Sequence, residues 1–375
     1  MSDPIYSPGL EGIIAGETAV SAIVGGLSYR GYSIEDLARQ STFEETAWLI
    51  LNGELPDREE LAAFRVRLSV GAVPPPLIDT LRRIPADAPL MDVMRTGASL
   101  LAHWDSDAAD NSREANLRKA EALLAQLPIV LAARHRLRLG QEPIPPDPKR
   151  SLAGNLLWML SGEPPPAAWE RAMDVSLILY AEHEFNASTF TARVTCSTLS
   201  DLHSAVTAAI GALKGPLHGG ANERVMDVLA EVGTADRAEA WVRDALARKR
   251  RIMGFGHRVY KTGDPRAAFL KTLCADLAAE TGHRDMEEMA DVIERIVTTE
   301  KRLPPNLDWP SARLYHYMNL PIDLYTPLFV VSRVVGWSAH VIEQLDNNRL
   351  IRPVARYTGP ADRPWLPLEN RKAHA

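Results

Sequence analysis

The sequence predicts an all-α protein of two domains with one small β-hairpin near its start. Helix-start signals followed by apolar residues at helical spacing recur from Ser33 onward. Short β-like runs are confined to the residues before it. Three segments, Ala168–His183, Asp201–Leu213 and Leu324–Leu345, are apolar almost all round. Helices without a polar face belong in a large core or an interface. A chain of 375 residues is long for one small core, hence the two domains.

Taken in order, Ile13-Ile14 and Val20–Val24 read as short β runs, and Gly25-Gly26 as a tight turn into a return strand, Leu27–Arg30. Ser33-x-x-Asp36 and Thr42-x-x-Glu45 have the form of capping boxes, the second leading into Ala47–Leu51 and ending at Gly53. Asp57-x-x-Glu60 opens a helix carrying Leu61, Phe64 and Leu68, and Pro74–Pro76 break the chain. Further helices are expected at 76–84, 90–103 and 114–138, with an exposed loop at Asp105–Asn111. Gln141–Lys149 holds four prolines and reads as a linker or surface excursion. Ser151 caps a helix carrying Leu152, Leu156, Leu157 and Leu160, which Gly162 and Pro164–Pro166 terminate. Between about 222 and 300 the helices become more amphipathic and more charged, as in a smaller, better-solvated domain.

Composition narrows the function. A net charge of −6 and a pI near 6.0 supply no basic surface for nucleic acid or an anionic membrane. No uncharged apolar run reaches the ~20 residues of a membrane span. Cys196 and Cys274 form no C-x-x-C pattern, which fits free thiols in a reducing compartment, and no leader-like start is seen. A cytoplasmic location is expected. His183-Glu184-Phe185-Asn186 is not H-E-x-x-H, and no metal-ligand spacing occurs, so no metal is expected.

Three short islands carry the candidate chemistry. Gly254–Arg266 is a glycine-punctuated loop with His257, Arg258, Lys261 and Arg266, and Asp264-Pro265 opens the following helix. It suits a polyanionic ligand, or is a solvated basic turn. Gly215–Asn222 places His218 at or just before a helix N-terminus, where a neutral imidazole is favoured and could donate to a carbonyl oxygen; the alternative is an ordinary interhelix loop. Pro304–Ser311 places Pro310 at the first position of a helix and Asp308 just outside it. Beside Leu307 and Trp309 that carboxylate is partly desolvated, which raises its basicity, while the helix N-terminus pulls the other way. An Asp in that state is a credible general base or simply an acidic helix start. His183 and Asn186 end a buried helix. Arg333 lies inside an apolar run and needs a partner, either a ligand carboxylate or a structural acid. Arg352 follows on a C-terminal arm.

In order and spacing these islands, with His183–Phe190, Ser332–Pro353 and Tyr29-Arg30-Gly31-Tyr32, closely resemble the citrate synthase family over about residues 9–359. The resemblance implies an all-helical homodimer whose subunits each have a large domain (1–218 and 325–375) and a small one (219–324), with the site in the cleft. It implies condensation of acetyl-CoA with oxaloacetate and hydrolysis of the thioester, the coenzyme A thioester being a substrate and no cofactor being permanently bound. By matching motif, Asp308 takes the acetyl proton, His218 holds the thioester oxygen, and His257 polarises the oxaloacetate carbonyl. His183, Asn186, Arg266 and Arg333 bind oxaloacetate, with Arg352 reaching in from the other subunit. Leu217, Ile252, Met253, Gly254, Gly256, Arg258, Lys261 and Asn306 meet coenzyme A. After Asp308 the family commonly has an aromatic residue and then Tyr-Ser, where this chain has Trp309-Pro310-Ser311; Pro310 is expected to shift the base slightly. No extra N-terminal domain is seen, so a dimer without NADH control is expected. A 2-methylcitrate synthase, which uses propionyl-CoA, would carry the same motifs, although Asn347–Pro353 leans toward citrate. A non-catalytic helical relative would be expected to lack the base or a histidine, and a metal-dependent hydrolase lacks its ligand spacing.

Overall fold

The computed structural model describes residues 6–371 apart from 70, 258, 261 and 262. After a short 3-10 turn at Pro8–Leu10 comes a three-stranded antiparallel sheet: β1 (Ser21–Ala22), β2 (Ser28–Tyr29) and β3 (Tyr32–Ser33). Ile13-Ile14 lies outside it, and the β1–β2 connection is the longer loop 23–27 rather than a tight turn. The tight turn is Arg30-Gly31 between β2 and β3, where both residues have positive φ.

Helices follow to the end of the core. They are α1 (Ile34–Gln40), α2 (Phe43–Asn52), α3 (Arg58–Ser69), α4 (Pro75–Arg83), α5 (Leu90–Leu101), α6 (Arg113–Arg138), α7 (Leu152–Ser161), α8 (Ala167–Tyr180), α9 (Ala187–Cys196) and α10 (Leu202–Leu213). After these come α11 (Ala221–Val232), α12 (Ala235–Ala247), α13 (Pro265–Thr281), α14 (Arg284–Lys301), α15 (Asp308–Tyr317) and α16 (Tyr325–Asp346). The local start signals act as their chemistry requires. Ser33, Thr42 and Ser151 accept from the backbone N–H three residues on. Asp57 and Glu60 form a reciprocal box, with Glu60 Oε2 taking the Asp57 N–H at 2.8 Å and Asp57 Oδ1 taking the Glu60 N–H. Gly53 and Gly162 close α2 and α7 in the left-handed region. The proline-rich 141–149 segment is a tethered excursion: Asn155 bonds the Asp147 N–H and carbonyl, and Trp158 bonds the Pro145 carbonyl.

Two boundaries differ from expectation. α8 stops at Tyr180, so His183 lies not on a helix but in the turn beyond it, where Glu184 has φ of 52°. α15 starts at Asp308, which puts Pro310 in its third position rather than its first. A proline is tolerated there because first-turn N–H groups have no helical partner anyway.

α16 is the central helix. It is buried along nearly its whole length and packs on α2, α5, α6, α8, α9 and α10. α11 to α14 pack on one another, and α15 joins α11 to α13. α13 also touches α1 and α8. Gly336 is where α16 meets the turn after α8, because a Cβ there would overlap Glu182 Oε2 and the Ala181 carbonyl oxygen. Overpacking a core position typically costs ~1–3 kcal/mol. Gly336→Ala is therefore expected to lower the denaturant midpoint by that order, read by urea unfolding; an unchanged midpoint would show that α16 and the turn have room to part.

Candidate active site

The last four carbonyls of a helix have no partner within it. In α8 all four are buried and all four accept from side chains. Ser332 Oγ donates to Leu177, Tyr29 Oη to Ile178 at 3.1 Å, Arg266 Nη1 to Leu179 at 3.5 Å, and Arg333 Nε to Tyr180 at 2.6 Å. Two of the donors are cations, which the negative end of a helix favours. The sheet thus delivers Tyr29, α13 delivers Arg266 and α16 delivers Ser332 and Arg333 to one place.

The two arginines differ in compensation. Arg266 Nε and Nη2 grip both oxygens of Asp264, at 3.0 and 2.8 Å. Burial alone would lower its pKa, but Asp264 outweighs that and raises it. Asp264 also caps α13 by accepting the Arg266 N–H. Arg333 has no ion pair among the described residues; besides the Tyr180 carbonyl its guanidinium lies over Phe329, 4.6 Å from the ring centre. Burial pushes its pKa down to about 10, opposed by Glu182, which leaves it a cation near neutrality. Glu182 itself is engaged elsewhere, with His340 Nε2 at 2.9 Å and Ser21 Oγ at 3.1 Å.

Three histidines surround these cations. His183 Nε2 meets the Tyr260 hydroxyl at 3.1 Å, and its ring stands edge-on to His257 at 5.2 Å. Burial, then Arg266 and Arg333, hold its pKa well below the usual value, so it is neutral. His257 Nδ1 accepts the Val259 and Tyr260 N–H groups at 3.1 and 3.3 Å, which makes Nε2 the ring's proton-bearing nitrogen. The ring stacks on Tyr260 at 4.7 Å. His218 is pushed down to about 4 by burial and then by Arg333. Its Nε2 lies 3.3 Å from the Ser188 N–H and 2.8 Å from the Ser188 hydroxyl. His218 thus lies just before α11, as its sequence position suggests, and also meets the N-terminal turn of α9.

Asp308 is half-buried at the start of α15. Its N–H goes to Asn306 Oδ1 at 3.1 Å and its Oδ1 takes the Tyr180 hydroxyl at 2.9 Å. Burial raises its pKa to about 6, against the Tyr180 hydrogen bond and Arg266. Of the two opposing influences expected at this position, desolvation is the larger. The loop bearing Asp308 is tied to the loop bearing His257: Gly256 donates to the Pro304 carbonyl at 2.8 Å, Asn306 to the Gly254 carbonyl at 2.9 Å, and Phe255 bridges Pro305. Asn306 Nδ2 adds a bond to the Gly256 carbonyl at 3.0 Å. Gly254 has φ of 87°, and a Cβ on it would lie 2.9 Å from the Trp309 ring, so the position needs glycine.

Other sequence-selected residues fall as follows. Asn186 is the N-cap of α9, with Oδ1 taking the Thr189 N–H and the Ser188 hydroxyl. Ile252 is buried and Met253 half-buried beside the Gly254 turn, while Leu217 is 93% exposed next to His218. Arg352 is exposed on the arm that leaves α16. Arg258 and Lys261 lie outside the described residues. Among the described residues no group of three or more His, Cys, Asp or Glu side chains is arranged to hold a metal, and no helix is long and apolar enough to cross a membrane. Sequence reasoning missed Tyr180, Ser188, Tyr260 and the pairing of Asp264 with Arg266. One signal for Tyr180 was available, since a phenol in an otherwise apolar helix needs a buried partner.

The sequence matches the family described as citrate synthase, C-terminal domain, over residues 9–354. Citrate synthase 2 of Bacillus subtilis is 48% identical, covering 97% of this chain and 98% of that protein. The 2-methylcitrate synthase of Shewanella oneidensis is 46% identical, covering 99% and 100%. Among solved structures, citrate synthase from Pyrobaculum aerophilum superposes with a TM-score of 0.91 at 39% identity, covering 98% of this chain and 97% of that one. The Thermoplasma acidophilum citrate synthase, solved as a ternary complex with carboxymethyl coenzyme A and oxaloacetate, gives 0.92 at 34% identity, covering 98% and 100%. Fold and site together define a helical acyltransferase. The chain belongs to the citrate synthase family.

Proposed function

We propose that this enzyme condenses acetyl-CoA with oxaloacetate and water to give citrate and coenzyme A, through an enol(ate) and citryl-CoA. The observation that carries the reading is Arg333, a buried cation with no ion pair among the described residues, set beside a base of raised pKa and neutral histidines. A dicarboxylate acceptor supplies the anion such an arginine lacks. In this reading Asp308 takes a proton from the acetyl methyl, and the neutral His218 ring donates a hydrogen bond to the thioester oxygen as the enolate forms. A thioester α-proton is a weak acid, so base and oxyanion donor are both needed. His257 Nε2–H polarises the oxaloacetate carbonyl and passes its proton to the new alkoxide. Water then cleaves citryl-CoA. His183, Asn186, Arg266 and Arg333 hold oxaloacetate, and residues 252–256, Leu217, Asn306, Arg258 and Lys261 meet coenzyme A. The Thermoplasma acidophilum complex supports both ligands by likeness. A cytoplasmic role in the tricarboxylic acid cycle follows from this reading.

Relatives of nearly equal identity are named for the propionyl reaction, which keeps 2-methylcitrate synthesis as the second reading. Steady-state kinetics with oxaloacetate separate them: a higher kcat/KM for acetyl-CoA is expected, and a preference for propionyl-CoA would reverse the assignment. In the same assay Asp308→Asn is expected to lose roughly 10²–10⁴-fold in turnover with oxaloacetate binding retained. More than about a tenth of wild-type turnover would remove Asp308 as the base.

The reading includes a large domain of residues 1–218 and 325–375 and a small one of 219–324 that closes over oxaloacetate. Its support is the mutual packing of α11 to α14 and the approach of cations from both parts at the end of α8. Closure excludes water from the thioester. Small-angle scattering should show compaction on adding oxaloacetate; an unchanged radius of gyration with binding verified by calorimetry would refute it.

The reading also includes a homodimer with shared sites. The arm after α16 has little core of its own, and Leu350, Val354, Tyr357 and Trp365 are exposed on the single chain. Such an arm is more stable laid across a partner, which brings Arg352 to the neighbour's oxaloacetate. Losing one buried charged hydrogen bond to a ligand costs ~2–5 kcal/mol. Arg352→Ala and Asp308→Asn should each be nearly inactive. In an exchanged heterodimer one site carries both defects and the other neither, so activity should return toward half of wild type. No return after exchange verified by mass spectrometry would place Arg352 within its own subunit.

A further inference from the structure

The Tyr180 hydroxyl lies between two groups of α15. It is 2.9 Å from Asp308 Oδ1 and 2.7 Å from Ser311 Oγ. A phenol has one proton, and toward a carboxylate oxygen it is the donor. At the second contact Ser311 must therefore donate, so the order is Ser311 to Tyr180 to Asp308. Tyr180 itself is fixed: its carbonyl holds Arg333 and its ring packs edge-on against Phe329 at 4.5 Å. Phe329 in turn faces the His218 ring at 6.3 Å. Ser311 is fully buried. The phenol that meets the carboxylate and the serine behind it are thus both buried.

We propose that Tyr180 and Ser311 form a hydroxyl relay that holds Asp308 Oδ1 and leaves Oδ2 as the oxygen that takes the substrate proton, so that Tyr180 is a positioning residue for the base. This rests on the reading of Asp308 as base. The relay has a second effect. A hydrogen bond donated to a carboxylate favours its charged form. Burial drives Asp308 toward its neutral form, and Tyr180 heads the influences opposing it. The relay thus lets a desolvated carboxylate stay ionised near neutral pH. The charged and titratable groups facing the pair are Arg266 and Asp264 from α13 and its cap, Arg333 from α16, and Tyr315 on α15. The arginines act in the same direction as the relay, and Asp264 acts against it.

The test is the pH profile of kcat/KM for the acyl-CoA at saturating oxaloacetate, in wild type, Tyr180→Phe and Ser311→Ala. Activity falls as pH drops through the pKa of the base, so weakening the ionised form moves this acid limb to higher pH. From the strength of hydrogen bonds to charged groups, Tyr180→Phe should move it by about one pH unit and Ser311→Ala by less, in the same direction. Activity at pH 6 should fall more than the alkaline plateau, and oxaloacetate affinity by calorimetry should stay within about twofold. A residue that merely packs would lower the plateau and leave the limb in place, and that result in Tyr180→Phe overturns the relay. If Tyr180→Phe fails to fold, an unmoved limb in Ser311→Ala overturns it instead. Asp308→Asn is run alongside. Substantial turnover in that variant sinks the base assignment, whereas an inactive Asp308→Asn with unmoved limbs sinks the relay alone.

Discussion

The site depends on how α8 ends. A helix that stops inside a protein leaves four carbonyls that water cannot reach, and each must find a donor or carry a desolvation cost. Here the donors come from β2, α13 and α16, which are far apart in sequence. Satisfying one helix end therefore fixes the relative placement of the sheet, the second half of the chain and the central helix. It also concentrates two cations at a single point. Both cations reinforce burial in keeping His183 neutral, Arg333 does so at His218, and both counter it at Asp308. One structural requirement thus adds to, or works against, the effect of burial at three groups.

The remaining geometry comes from paired loops. The α9 N-terminus holds His218 through Ser188. The backbone ladder between 254–256 and 304–306 holds His257 and Asp308 in one register. None of these side chains is placed by a long flexible stem, and each carrier segment is anchored by backbone hydrogen bonds. Gly254 and Gly336 mark where two segments come too close for any side chain.

Much of this was legible because it is local. Capping by Ser33, Thr42, Asp57 and Ser151 is a matter of neighbours three residues apart, and those helices start where the sequence places them. The islands around His218, His257 and Asp308 stood out because glycine, proline and titratable residues cluster there. What was not legible is tertiary. Asp264 is visible as a cap, but its grip on Arg266 depends on side-chain direction after a loop. α9 was hidden because Asn186, read as the end of the preceding helix, instead caps a helix rich in β-branched residues. Pro310 suggested a helix starting two residues late, because proline is commonest at the first position although the third also lacks a helical partner. Whether Arg333 had an acid partner could not be read from its neighbours at all.

The raised pKa of Asp308 has a thermodynamic counterpart. In the folded chain this carboxyl prefers its neutral form, up to about pH 6, whereas in the unfolded chain it ionises near its ordinary 3.8. Its contribution to stability is therefore fully present below the lower value and is lost as the medium becomes less acidic, through the higher one. A displacement of about two pH units corresponds to roughly 3 kcal/mol. That is a large share of the ~5–15 kcal/mol by which a domain is held folded. Ionising this carboxylate therefore draws on folding stability.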